Sequence, residues 1–141
     1  MTDYCTVANV EARIKGIIFA TDTVIKRTEV EGFITGNSAV IDSRINTLYS
    51  VPVTGTVSLE IVKKICVYLT LAEIMPVIEQ GLSKEDITTI DYIGRANDML
   101  EKIESGETDL IDASKRTSSN FYNYNVTNSI EPVVEKDETQ W

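Results

Sequence analysis

Apolar residues recur every three to four positions along four stretches of the chain, and this spacing is typical of amphipathic helices. The expected helices cover about residues 6–15, 28–48, 59–79 and 84–104. Thr6 is the expected N-cap of the first helix, because a threonine side chain can accept a hydrogen bond from an unpaired amide of the first turn. The pattern therefore predicts an all-α fold, a small four-helix bundle followed by an extended C-terminal arm.

Capping residues and helix breakers predict where the other helices begin and end. Thr28 and Glu31 fit the capping-box pattern, in which each side chain binds a backbone amide near the other residue. Pro76 has no amide hydrogen, so we expect it to kink the third helix or to end it near Met75. Gly106 is the expected residue just beyond the fourth helix, since glycine readily adopts the left-handed conformation found there.

The second, third and fourth helices differ in how much of their surface is apolar. The second has one apolar stripe, formed by Val30, Phe33, Ile34, Ile41, Ile45 and Leu48. The third is apolar nearly all round, so we expect it to lie at the centre of the bundle or to be covered by partner chains. The fourth is capped at Ser83, and its buried face is formed by Ile87, Ile90, Ile93, Leu100 and Ile103. Its exposed face carries two expected ion pairs, Asp91–Arg95 and Asp98–Lys102.

The composition changes after Gly106, so we divide the chain into a helical domain of residues 1–106 and a polar arm of residues 107–141. The arm cannot build a core by itself. It is either a disordered tail or an arm that is mobile over about residues 109–134 and orders on a partner. In the second case the partner-binding side chains are Phe121, Tyr122, Tyr124, Ile130 and Val133. Removal of everything after Gly106 is expected to leave the bundle folded.

The residue types that most often carry catalysis are scarce in this chain. There is no histidine, which removes the commonest general base and the commonest metal ligand. Cys5 and Cys66 are the only cysteines, and we expect both to be reduced thiols, with Cys66 at least partly buried. Asp86, Asp91 and Asp98 are interpreted as a solvated helix face. We therefore predict no catalytic site, no metal site and no cofactor, and we do not expect an enzyme.

The net charge of -9 disfavours binding to DNA, since phosphate contacts need clustered Lys and Arg side chains. Three basic pairs, which we interpret as exposed surface, are separate in sequence: Lys26–Arg27, Lys63–Lys64 and Lys115–Arg116. The beginning of the sequence lacks the pattern of a signal peptide, and no apolar run approaches the length that spans a bilayer. We expect a protein that stays in the cytosol in which it is made and has no membrane partner.

Two segments in the first half of the chain carry a distinctive order of residues. The first segment begins with Tyr4, Thr6 and Val7, and the motif of the second is formed by Ser38, Ala39, Ile41, Asp42, Ile45, Tyr49, Val51 and Pro52. Pro52 excludes a continued helix and pushes Val51 towards an extended conformation. Over about residues 3–75 this order resembles the head–tail connector (adaptor) proteins of tailed bacteriophages, in particular the small Mu-like and HK97-like connectors.

The resemblance implies a helical protein that forms a ring, usually with twelve subunits, in the neck of the virion. Such a ring binds the portal protein on one side and a tail terminator or stopper protein on the other. Double-stranded DNA passes through its lumen without specific binding, and no reaction is implied. The ring would be assembled in the cytoplasm of the bacterial host. Charge and resemblance together predict an acidic lumen.

Other interpretations of the chain remain open. The second segment alone is also compatible with an ordinary helix that a proline stops. A small helical packaging or regulatory protein, such as a terminase small subunit, is the main alternative, although it would need a basic helix-turn-helix that the sequence does not show. A small enzyme is the third. The chain also departs from the family at Leu48, where a basic residue is common, and at Asn9, where an aspartate is common.

Overall fold

A computed structural model describes residues 2–14, 17–21, 23, 25–79 and 91–116 of the protein. Its four helices are α1 (Val7–Glu11), α2 (Arg27–Ile45), α3 (Thr56–Glu79) and α4 (Tyr92–Glu104). The described residues contain no strand, and their isolated antiparallel bridge joins Tyr49 to Lys115. The all-α fold that the apolar spacing predicts is confirmed.

α3 is the central helix, and α1, α2 and α4 all pack against it. Every residue from Ile65 to Leu71 is buried, so all faces of the middle of α3 are covered by the same chain. Large apolar side chains that remain exposed on α3 lie near its ends, at Val57, Leu59 and Val77. The expected central position is correct, and the middle of the helix needs no partner chain to cover it.

Pro76 lies inside α3, which continues to Glu79. The helix therefore reaches the end expected at residue 79, and the alternative of an early end near Met75 is wrong. The proline is in the last turn, where its missing amide removes a single helical hydrogen bond, the one to the carbonyl of Ala72. α3 also begins earlier than expected, at Thr56.

The first two helices begin with side-chain caps close to their predicted starts. Thr6 caps α1 as expected, and Asn9 returns the interaction by accepting from the Thr6 amide at 2.8 Å. α1 ends at Glu11, several residues before the expected end. α2 begins at Arg27, and the carboxylate of Glu29 accepts from the amide of Lys26 at 3.2 Å. The expected pairing of Thr28 with Glu31 is wrong, because Glu29 instead binds the amide of Lys26, two residues before Thr28.

The apolar stripe of α2 is buried over most of its expected length. Ile41 and Ile45 lie in the core, as do Val30 and Ile34. The helix ends at Ile45 and a turn follows, so Leu48 leaves the stripe and is 39% exposed.

α4 begins at Tyr92, because Asp91 caps it. The Asp91 carboxylate accepts from the Gly94 amide at 2.9 Å, and the backbone of Asp91, at φ -88° and ψ 84°, is not helical. A continuous helix over 84–104 is therefore wrong, and Asp91 caps the helix instead of pairing with Arg95. Ile93 is 48% exposed, contrary to expectation.

The rest of α4 agrees with the predicted pattern. Leu100 and Ile103 are buried, and the Asp98–Lys102 pair is present at 3.4 Å. Gly106 follows the helix with φ +85°, as expected of a residue in the left-handed region. The predicted cap Ser83 and the predicted core residues Ile87 and Ile90 lie outside the described residues.

Residues 107–116 pack against the bundle. Leu110 is fully buried, and the amide of Ser50 donates to the carbonyl of Ser114 at 2.7 Å. The amide of Arg116 likewise donates to the carbonyl of Leu48 at 2.9 Å. Residues 107–116 thus pack with the helices, although they lie beyond the boundary expected at Gly106.

Candidate functional site

Tyr4 joins three parts of the chain through one buried side chain. Its hydroxyl donates to the carboxylate of Asp42 on α2 and accepts from the amide of Val53 at 2.8 Å. Its own amide donates to the hydroxyl of Ser38 at 3.0 Å. Burial, and then the hydrogen bond to Asp42, raise the pKa of the Tyr4 hydroxyl well above its ordinary value, so the group keeps its proton and remains a donor.

Tyr49, which follows the turn after α2, has the same arrangement of hydrogen bonds. Its hydroxyl donates to the carboxylate of Asp109 at 2.8 Å and accepts from the amide of Leu110 at 3.0 Å. Burial raises the pKa of Tyr49, and Asp109 adds to the effect. The hydrogen bond from Tyr49 and the nearby ammonium of Lys115, at 3.2 Å, lower the pKa of Asp109. Both motif tyrosines therefore connect a carboxylate to a backbone amide.

The other motif residues have different roles. Ile41 is part of the core, and Val51 is 38% exposed at the α2 exit. Pro52 is exposed and follows a cis peptide bond. The structure therefore brings Tyr4 and Asp42 into direct contact, places Tyr49 in a second contact, and leaves Val51 and Pro52 on the surface.

Val53 is a site residue that sequence reasoning missed. Its side chain is buried, and its amide is the donor that fixes the Tyr4 hydroxyl. The sequence offered no reliable signal for it, because Val51 and Val53 would share one side of an extended segment, whereas Val51 is exposed and Val53 is buried. The expected partner-binding residues Phe121, Tyr122, Tyr124, Ile130 and Val133 lie outside the described residues.

Asp112 caps α3 from a distant part of the chain. Its carboxylate accepts from the amides of Val57 and Ser58, both at 2.8 Å, and from the Ser58 hydroxyl. These hydrogen bonds, that of the Ser58 hydroxyl first, lower the pKa of Asp112. Gly55 allows the close approach: its φ is +100°, and a Cβ there would lie 2.4 Å from the carboxyl carbon of Asp112.

A cationic cleft lies between the α1 region and α3. It has a volume of about 280 Å³, and Arg13, Lys63, Lys64 and Glu60 are among its lining residues. Arg13 donates to the hydroxyl of Tyr68 at 2.9 Å, and its guanidinium lies 5.1 Å from the centre of that ring. Lys63 pairs with Glu60 at 2.7 Å. In the sequence Lys63–Lys64 is an isolated pair. The fold places Arg13 in the same cleft and so concentrates positive charge at one place on an acidic protein.

The described part of the chain holds no group of three or more His, Cys, Asp or Glu side chains placed to bind a metal ion. Over the same residues, none of the helices combines the length and the apolar character needed to cross a bilayer. Comparisons with protein-family models, with curated proteins and with solved structures found no match to this chain.

Proposed function

We propose that this protein is a structural head–tail connector of a tailed phage or prophage. In this proposal it forms a ring beneath the portal, links the DNA-filled head to the tail and lets DNA pass. The observation that carries the proposal is the contact between Tyr4 and Asp42, which come from the two segments that resemble connectors. The contact supplies a physical reason for both residue types, because a buried tyrosine hydroxyl needs an acceptor and Asp42 provides it.

The network around Tyr4 also suits a rigid subunit of an assembly. It fixes the N-terminal segment to α2 and holds Val53, so the direction of the chain after the helix is set. Val51 and Pro52 are exposed just before this point and offer a surface to a neighbouring protein. A ring must present the same surface in every copy. A segment after α2 that is held by hydrogen bonds presents a more uniform surface than a free loop.

The cationic cleft of Arg13, Lys63 and Lys64 is the surface that we assign to the contact between subunits. Each subunit carries a net charge of -9, so copies repel one another unless cations lie at their interface. The cleft concentrates three basic side chains, and a neighbouring copy carries a net charge of -9. Opposite charges across such an interface would set the orientation of the subunits.

Deletion of the gene in the phage or prophage tests the proposed function directly. Loss of a connector should leave heads that have packaged DNA beside free tails, as seen by electron microscopy of lysates. Complementation with the wild-type chain should restore complete particles. If the mutant lysate contained heads that never filled, the terminase-like alternative would replace the connector proposal. Particles with complete tails would refute both.

A further inference from the structure

Cys5 and Cys66 are 61 positions apart in sequence, but their sulfur atoms lie 3.2 Å from each other. Both are free thiols, and both are buried, with exposed fractions of 4% and 0%. Cys5 precedes α1, and Cys66 lies in the middle of α3. A disulfide bond brings two sulfur atoms to about 2.0 Å, so a movement of about 1 Å separates this contact from a covalent link.

The two thiols have different surroundings. The Cys5 thiol donates to the sulfur of Cys66, and the hydroxyl of Ser38 lies 3.6 Å from the same atom. The Ser38 oxygen already accepts from the amide of Tyr4, so its own proton is free to point at Cys66. The hydrogen bond from Cys5, helped by Ser38, lowers the pKa of Cys66, while the same contact raises the pKa of Cys5. Cys66 is therefore the thiol that more readily becomes the reactive thiolate.

We propose that Cys5 and Cys66 form an oxidation site, at which a hydroperoxide converts the two thiols into an intrachain disulfide. The thiolate of Cys66 attacks the peroxide oxygen, the O–O bond breaks, and hydroxide leaves and takes up a proton. The Cys5 sulfur then attacks the resulting sulfenic acid; the S–S bond forms, the S–O bond breaks, and water leaves. The two thiols lose two electrons and two protons in total, and hydrogen peroxide becomes two molecules of water.

Access to the site depends on the segment that carries Cys5. Cys5 is the more exposed of the two thiols, and the hydrogen bonds of the neighbouring Tyr4 hold its segment in place. A brief local opening beside Cys5, small enough to keep its hydrogen bond to Cys66, admits a molecule as small as peroxide. The disulfide then ties the segment to α3 in the position that it already occupies. This chemistry is independent of the connector proposal and holds whatever the protein assembles with.

Peptide mapping of the full-length folded protein tests the proposal. The reduced protein is treated with hydrogen peroxide, quenched, digested without reductant and analysed by mass spectrometry. We expect a peptide pair linked through Cys5 and Cys66, a fall in free thiols from two to none, and at least tenfold slower exchange of the Tyr4 amide. Recovery of both thiols after reductant is the accompanying control.

Two single variants separate the steps. Cys5→Ser should stop at a Cys66 sulfenic acid that dimedone traps, whereas Cys66→Ser should react at least tenfold more slowly. Circular dichroism checks that each variant is folded. If a variant does not fold, the peptide mapping of the wild-type protein still tests the proposal. The proposal is overturned if the folded wild-type chain keeps both thiols under conditions that oxidise the urea-unfolded chain. It is equally overturned if the disulfides formed join separate molecules.

Discussion

Tyr4 and Asp42, 38 positions apart in sequence, are joined by a hydrogen bond from the phenolic hydroxyl to the carboxylate. The same hydroxyl accepts from the amide of Val53, so the tyrosine satisfies an acceptor on α2 and a donor beyond it. Neither partner lies close to Tyr4 in sequence. The contact holds the N-terminal segment, the end of α2 and the chain that follows it in one arrangement, and the proposed function depends on it.

Tyr4→Phe should lower the free energy of unfolding by about 1–3 kcal/mol, because it leaves the buried Val53 amide without its acceptor. Urea unfolding at neutral pH measures the change. Tyr92→Phe is a matched control, since the Tyr92 ring contacts Tyr68 and is remote from this network. A Tyr4→Phe protein as stable as the wild type would show that water replaces the hydroxyl at no cost.

Truncation should distinguish residues 107–116 from the rest of the arm. A chain ending at Arg116 should fold, whereas a chain ending at Gly106 should be strongly destabilised, because it loses Leu110 and the Asp112 cap of α3. Leu110→Ala in the full chain isolates the apolar contribution, with an expected loss of about 2–5 kcal/mol. Thermal unfolding followed by circular dichroism compares the three proteins. Equal stability of the two truncated chains would restore the boundary at Gly106.

Acid should destabilise the protein partly through Asp112. Its pKa is lowered on folding from an ordinary value of 3.8, so in this range the unfolded state binds more protons than the folded state. The stability that Asp112 contributes through its hydrogen bonds is present above its ordinary pKa and is lost as the pH falls through its pKa in the folded state. Asp112→Asn should therefore make stability depend less steeply on pH between about pH 5 and pH 2. Asp98→Asn, at an exposed pair, is the control; identical slopes for wild type and Asp112→Asn would contradict the prediction.

Gly55 and Gly36 should respond in opposite directions to alanine. Gly55→Ala forces a left-handed residue and brings its Cβ against Asp112, so a loss of about 1–2 kcal/mol or more is expected. Gly36 lies inside α2, and apart from its own neighbouring turns of helix no heavy atom of the described residues lies within 4 Å of an added Cβ, so Gly36→Ala should stabilise by about 0.5–1 kcal/mol. The midpoints of urea unfolding measure both changes, and a stabilising Gly55→Ala would refute the close approach.

Charge reversal in the cationic cleft should prevent assembly without unfolding the subunit. Arg13→Glu with Lys64→Glu replaces two cations by anions where we place a neighbouring acidic copy. Mass photometry, or electron microscopy with the portal present, should show loss of rings, while circular dichroism stays unchanged. Lys102→Glu, on α4, is the matched surface control. Rings that persist in the double variant would place the subunit contact elsewhere.

The sequence by itself determined the helical class, the central place of α3, the Thr6 cap and the position of Gly106. These features depend on spacing within one or two turns, because helical hydrogen bonds join residues four apart. They are therefore visible in a short window of residues. The start of α2 lies one residue from the expected one, because Glu29 and not Glu31 binds an amide at its beginning. The expected start of α4 failed because Asp91, and not the earlier Ser83, caps this helix, and the sequence offered both side chains as possible caps.

Only the tertiary structure decided the long-range pairs. Asp112 caps a helix whose first turn lies 54 residues earlier, and Cys5 meets Cys66 across 61 residues. Leu110, in a largely polar stretch and next to the exposed Ile111, becomes a fully buried anchor because the turn at Gly106 directs it into the core. Such contacts depend on how the helices pack, since burial and chain direction bring distant groups within hydrogen-bond range. Neither composition nor periodicity carries that information.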